Sequence, residues 1–283
     1  SLTEGLVAYY PMEKGEGEVL HDGAFDNLGQ INPGSSGSNT SVNEMRTDGN
    51  VGSNAIRFDG TDDYADTGIA DIWRRDTTIA FWIKPESIPS TSDSRAWVFG
   101  WYDGGEIIAH GAQLDNDGDN KLQCYIEDED DQGIQLTSSK NAVSTSSWTH
   151  FALKFNSNLS KLELYENGKL VAEGSNASYD RTTPYDGSFW LGARNTRGTA
   201  ENNFNGKVND FRIYNRTLSQ QEIKALYNEG SGVQSGVLKK EKDVPGQNEG
   251  GILRYRFNGG VNDFWGSNDG SDNTAQGYYT GVY

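Results

Sequence analysis

Residues 204–227 read FNGKVNDFRIYNRTLSQQEIKALY, and two periodicities meet inside that stretch. From Lys207 to Tyr214 apolar and polar positions alternate, with Val208, either Asp210 or Phe211, then Ile213 and Tyr214. These β-branched and aromatic types suit a half-buried strand. After Thr217 the period changes. Ser219 stands three residues before Glu222, the spacing at which the two side chains satisfy each other's unpaired amide groups at a helix start. Ile223, Leu226 and Tyr227 then share one face, and Gly230 ends the predicted helix.

The rest of the chain alternates with period two in short runs. Strands are predicted at 5–12, at 54–65 on either side of Asp59-Gly60, at 78–85, 96–101, 106–114, 121–127 and 134–136, and at 189–192. A hairpin pair is predicted over 147–155 and 161–171, its second half turning on Asn167-Gly168, since Asn-Gly readily takes the left-handed conformation that a two-residue turn needs. Gly, Asn, Asp and Ser fill the joints, which points to tight turns between many short strands. Residues 231–250 mix Gly, Ser and Gln with Lys239-Lys240-Glu241-Lys242 and Pro245, the composition of an exposed linker. Beyond it, GILRYRF at 251–257 echoes the opening strand, and Asp263-Phe264-Trp265-Gly266 echoes Asp26-Asn27-Leu28-Gly29.

The run from Gly206 to Tyr227 resembles the C-terminal signature of LamG-like jelly rolls of the concanavalin A-like superfamily, G-x-(I/V)-D-x-(V/F)-R-I-Y-N-R-x-L-S-x-x-E-I-x-x-L-Y. Asn209 is its one unusual residue. GLVAYYPM at 5–12, AIRFDGTDDYA at 55–65, the strand ending Trp82-Ile83-Lys84-Pro85, Trp148-Thr149-His150-Phe151-Ala152 and Leu164-Tyr165-Glu166-Asn167-Gly168 are similar to further elements of that family. The resemblance implies an all-β, antiparallel two-sheet jelly-roll sandwich with one short C-terminal helix. The expected organisation is a domain over 1–230, a linker over 231–250, and the first strands of a second tandem copy over 251–283. Thirty-three residues cannot bury a jelly-roll core alone, so that copy is expected to continue elsewhere, pack on the first or pair with another chain.

Composition narrows the function. Only 34% of the residues are hydrophobic, but seven Trp, fourteen Tyr and eleven Phe supply the apolar volume for a core. A net charge of −17 argues against nucleic acid and anionic membranes, which are bound through Lys and Arg clusters. It fits either a very soluble extracellular surface or adaptation to high salt, where screening removes self-repulsion. The single cysteine, Cys124, rules out an intrachain disulfide and falls in an alternating strand, the place of a small buried apolar residue. No apolar run approaches a membrane span, and the opening at Ser1 carries no signal-peptide pattern, which suits a mature or excised segment. Sequons occur at Asn39, Asn158, Asn176 and Asn215, acceptors for glycan if the chain is secreted.

The chemistry points to binding. Laminarinase-type relatives of the family use an E-x-D-x-x-E strand, and Glu129-Asp130-Asp131-Gln132-Gly133-Ile134 lacks its second Glu; a solvated acidic turn is the expectation there. His21, His110 and His150 are scattered, and no nucleophile elbow, zinc motif or phosphate loop occurs. The resemblance implies a structural calcium site where the first loop meets the signature strand, which carries over to Asp26, Asn27 and Asp210. An Asx turn and an ion pair are their alternatives. Asp115-Asn116-Asp117-Gly118-Asp119 has the start of a calcium-loop spacing, but Gly is misplaced and Ile126 stands where a bidentate Glu is required, so a hairpin tip is expected. For sugar stacking the candidates are Trp97, Trp101 and Tyr102 near Asp103, with Tyr185, Arg194 and Arg197, of which Trp101 and Tyr102 are expected to face the ligand. The expected protein is a non-catalytic module at a cell or virion surface that recognises a glycan or a surface protein, with the start of a neighbouring repeat or another copy as further partner. A structural spacer that self-assembles and a glycoside hydrolase are the alternatives.

Overall fold

The computed structural model describes residues 1–12, 18–24, 28–89, 95–102, 109–114, 118–180 and 187–230, together with the backbone of 255–257 and 261–263. In chain order the strands of the first part are β1 (Leu6–Tyr10), β2 (Val19–His21), β3 (Leu28–Asn32), β4 (Arg46–Asp48), β5 (Asn54–Asp59), β6 (Tyr64–Asp66), β7 (Thr77–Pro85), β8 (Ala96–Tyr102), β9 (Ala109–Leu114), β10 (Leu122–Glu127) and β11 (Gly133–Thr137). They continue as β12 (Thr149–Asn156), β13 (Lys161–Glu166), β14 (Lys169–Ser175), β15 (Trp190–Leu191), β16 (Arg194–Thr196), β17 (Thr199–Glu201) and β18 (Asn205–Tyr214). Helix α1 is a single turn at Val42–Met45, and α2 spans Gln220–Gly230.

These strands form two sheets. The first runs β14-β13-β12-β7-β18-β5-β4, with β1 also paired to β18; the second runs β11-β10-β9-β8-β15-β6-β3-β2, with the β16–β17 hairpin attached to β8. All pairings are antiparallel except β16 with β8. Alternation along each strand sends one set of side chains between the sheets. Phe81, Phe99, Phe151 and Phe211 meet there in tilted and edge-on pairs with centroids 5.3–6.1 Å apart. Cys124 lies in the same core, and burial pushes its thiol up to about 12, so it behaves as an apolar side chain.

The opposite face of the first sheet carries α2. Ala80, Ala152, Tyr165 and Tyr214 of the strands pack with Leu218, Ile223 and Leu226. The predicted reciprocal cap holds the helix start: Ser219 N donates to Glu222 Oε2 at 3.0 Å, and Glu222 N donates to Ser219 Oγ at 3.3 Å. Arg216 also donates to Glu222, and these bonds hold its carboxyl down to about 2.

The ambiguity between Asp210 and Phe211 is resolved by a β-bulge. Asn209 pairs with Trp82 and Arg212 with Ala80, so β18 spends one residue more than β7 over the same span. Asp210 absorbs the irregularity at φ +52°, which lets Val208, Phe211 and Ile213 all reach the core. Asn209, the residue out of keeping with the signature, is fully buried and ties β18 to the 49–54 turn. Its Oδ1 accepts from Asn50 N and Val51 N at 3.1 and 2.7 Å, and its Nδ2 donates to Asn54 O at 2.7 Å.

The acidic FDGTDD motif is structural as well. Asp59 accepts from Asn39 N, Asp62 from Ser35 N, and Asp63 from Asn39 Nδ2, which pins the preceding loop against β5. The predicted Asn167-Gly168 turn is present with both residues at positive φ, +49° and +78°.

The chain divides into a unit over Ser1–Val233 and a second over Gln234–Tyr283. In the second, Tyr255–Phe257 pairs antiparallel with Val261–Asp263 as a two-stranded hairpin, β19 and β20. The predicted linker and most of the echoing segment lie outside the described residues.

Candidate functional site

On the second sheet the face turned away from the core gathers aromatic and amide side chains. Alternation in β9 and β10 buries Ala112, Leu114, Leu122, Cys124 and Ile126 between the sheets and sends Gln113, Gln123 and Tyr125 the other way. Strand β8 reaches the same result through a bulge. Its register to β9 slips between Trp97 and Phe99, so Val98 and Phe99 both enter the core, and Trp97 and Trp101 end on opposite faces.

Trp97 lies flat on the sheet because Gly100 and Gly111, which pair with each other across β8 and β9, leave room for it. A Cβ at Gly100 would come 2.4 Å from Trp97 Cε3, and one at Gly111 2.9 Å from Cζ3. The indole stacks on Tyr125 with centroids 6.0 Å apart and planes 25° apart. Arg194 covers it from the β16 side, 5.6 Å from the Trp97 ring and 4.4 Å from that of Tyr102.

Hydrogen bonds lock the polar members in place. Gln113 Nε2 donates to Gln123 Oε1 at 3.1 Å and to Tyr125 Oη at 2.9 Å, and the Tyr125 hydroxyl donates to Gln123 Oε1. Arg194 Nη2 donates to Glu201 Oε2 at 2.6 Å, and Thr196 Oγ1 donates to the same oxygen. Those bonds hold the Glu201 carboxyl below the usual range. Trp97 Nε1, Gln113 Oε1 and Arg194 Nε are buried with no hydrogen-bond partner. A buried polar group left unpaired costs about 1–3 kcal/mol, and sites for polar ligands carry such groups.

Of the residues expected to contact sugar, Tyr102 and Arg194 come together here, and Arg197 lies exposed at the tip of the β16–β17 hairpin at φ +50°. Trp101 is corrected. It is 5% exposed, belongs to the core, stacks on His110 at 6.5 Å, and has Gly187 against its Nε1, so it presents no open face. Asp103 and Tyr185 lie outside the described residues. Tyr125, Gln113 and Gln123 did not stand out in the sequence; the alternation of LQCYIE opposite a buried Cys124 was the available signal.

The calcium expectation does not fit at Asp210. This residue is 2% exposed, and its Oδ1 accepts from both Nε and Nη2 of Arg212 at 3.0 and 2.8 Å. Coulombic attraction to Asp210 and Glu229 keeps Arg212 charged at any ordinary pH, a neighbour that repels a cation. Asp26 and Asn27 lie outside the described residues, and no cluster of metal-ligating side chains occurs among the described ones. Of the Asp115–Asp119 run, 115–117 lie outside the described residues, and Asp119 is paired with Lys121 and Lys140. The Glu129–Ile134 run is a turn, in which Asp128 accepts from the backbone of Asp130 and Gln132, and also from Asp180 N. Asn39 is corrected as a glycan acceptor: its side chain is fully buried and donates to Arg57 O and Asp63. Asn158 and Asn215 are exposed, and Asn176 is half-buried with Nδ2 on Gly133 O.

The model of the concanavalin A-like lectin/glucanases superfamily, laminin G type, matches residues 59–224. A comparison with the curated proteins found no match. Solved structures with a similar fold include the binding domain of botulinum neurotoxin serotype D, at 14% identity and TM-score 0.57 over 80% of this chain and 52% of that one. The binding domain of Paraclostridial mosquitocidal protein 1 is similar at 19% identity and TM-score 0.58 over 81% and 53%. The carbohydrate-binding module CBM40 of the Ruminococcus gnavus IT-sialidase, solved with α2,3-sialyllactose, is similar at 18% identity and TM-score 0.51 over 61% and 96%. The chain thus spans about half the length of the toxin domains it resembles.

Proposed function

Because the chain belongs to the concanavalin A-like lectin/glucanases superfamily, we propose that it is a non-catalytic glycan-binding module acting in adhesion at a cell or virion surface. The sugar contacts the outer face of the second sheet. The observation that carries this reading is the half-buried row of Tyr102, Arg194, Tyr125 and Gln123, held in place over the buried Trp97 and Gln113. Rings offer flat apolar faces to the C–H side of a sugar, and fixed amides meet its hydroxyls. Arg194, although paired with Glu201, adds a guanidinium suited to an acidic sugar. A tandem arrangement with a copy beginning near residue 251 belongs to the same proposal. So does the extracellular setting, which the acidic surface supports.

A glycan-array screen of the purified chain, in calcium and in chelator at matched ionic strength, tests it. Binding that is lost in Tyr125→Ala and Arg194→Ala supports the site. Binding to no glycan in either condition overturns it. A second reading, a self-associating spacer, draws on one observation: the edge strand β14 exposes Leu170 and Val171, with Leu159 exposed in the turn before β13. Concentration-dependent dimerisation by sedimentation, abolished by Leu170→Lys, would favour that reading.

A further inference from the structure

The first sheet has an opening of its own beside α2. Beyond the residues that Ile223 and Leu226 cover, Asn50, Trp82, Trp148, Asn167, Tyr227 and Gly230 line an open cleft of about 280 Å3. Trp82 projects from β7 on the face away from the core and stacks on Tyr227, centroids 5.7 Å apart and planes 22° apart. His150, its neighbour on β12, backs both rings at 5.2 and 6.2 Å.

Trp82 is 2% exposed, with Gly230 packed against the Nε1 edge of its indole, so it forms the floor of the cleft. The rim amides mark the cleft as built for a polar ligand, because they are held in complementary senses. Asn50 donates Nδ2 to Gly230 O at 2.9 Å, which leaves its Oδ1 to accept; Asn167 Oδ1 accepts from His150 N at 3.1 Å, which leaves its Nδ2 to donate. No described lining residue is charged. His150 stays neutral there, since burial and the nearby Arg212 hold its imidazole down to about 3.

We propose that this cleft is a second binding site, which takes a single neutral hexopyranose against the half-buried Trp148 and Tyr227 rings with its hydroxyls on Asn50 and Asn167, above the Trp82 indole. Donors and acceptors alternate around aromatic walls, as a polyhydroxylated ring requires, and the absence of a lining cation gives an anionic sugar no counter-charge. The site is on the other sheet from the face proposed above and uses none of its residues. A module with both could bridge two glycan chains.

The test is the indole N–H resonance of Trp82, identified with a Trp82→Phe variant, during titration of the whole chain with methyl glucoside, galactoside and mannoside. A saturating shift with one of these is expected, unchanged in Tyr125→Ala and weakened at least tenfold in Trp148→Ala, which removes a half-buried wall and leaves the core untouched. The proposal is overturned if no hexoside moves the resonance, if Trp148→Ala leaves the affinity unaltered, or if N-acetyltryptophanamide moves it where the hexosides do not. The last result would make the cleft a receptor for an aromatic peptide side chain. Because the Tyr125→Ala arm reports on the second sheet alone, failure at either site is read separately.

Discussion

Arg212 lays both Nε and Nη2 against one oxygen of Asp210, at 3.0 and 2.8 Å, on the bulged strand that carries the family signature. The same guanidinium lies 4.5 Å from the Tyr9 ring and donates to Glu229 of α2 at 2.8 Å. One cation therefore joins the first strand, the signature strand and the terminal helix, and desolvation together with Asp210 pushes the Tyr9 hydroxyl far above its ordinary range.

Asp210→Asn isolates that charge, because Asn tolerates the left-handed backbone that the position requires. Leaving Arg212 buried with its main counter-ion removed is expected to cost about 3–5 kcal/mol. Urea denaturation should show the loss, and show it equally in calcium and in chelator. A loss confined to calcium would restore a metal role to Asp210.

Acid should weaken the fold through His150. Its folded-state value of about 3 lies below the ordinary 6.5, so the unfolded chain takes up a proton that the folded one refuses. The contribution is fully present above pH 6.5 and declines as pH falls toward 3. Asp63 acts in the opposite sense: burial raises its carboxyl to about 6, so its share is present in acid and lost as pH rises through that value. The difference in urea midpoint between the native chain and His150→Phe, followed from pH 6.5 downward, isolates the histidine. The variant should lose less stability on acidification.

Gly100→Ala should lift the Trp97 indole off the sheet, since the new Cβ would meet Cε3 at 2.4 Å. A cost of about 1–3 kcal/mol is expected from overpacking, with a change in near-ultraviolet circular dichroism and loss of glycan binding. Adding Trp97→Leu should recover part of the stability and none of the binding.

Asn209→Ala removes the side chain that accepts from Asn50 N and Val51 N and donates to Asn54 O. Three part-buried backbone groups lose this partner together, so a cost of roughly 3 kcal/mol is expected. Asn50 lines the hexose cleft, so the binding constant there should weaken as well. Thermal melting and the Trp82 indole titration check the two effects separately.

The candidate sites were legible only in part. Arg194 and Tyr102 were singled out as residue types fit for sugar, and they do meet. Trp101 was chosen for its residue type alone, and which face of β8 it takes is decided by the bulge at Val98, which sends Trp97 and Trp101 to opposite faces. The cleft on the first sheet was invisible, since Asn50, Trp82, Trp148, Asn167 and Tyr227 come from five separate parts of the chain.

What the sequence determined is what neighbours along the chain decide. The strand expected over 147–155, observed at Thr149–Asn156, the Asn167-Gly168 turn and the Ser219–Glu222 cap each depend on a few consecutive residues. The burial of Cys124 follows from the same local period. Tertiary structure alone decided the strand order, the bulges at Val98 and Asp210, and the pairing of Asp210 with Arg212 in place of a metal ion. A bulge is chosen by whether the residues on either side can all reach the core, and that depends on strands distant in sequence.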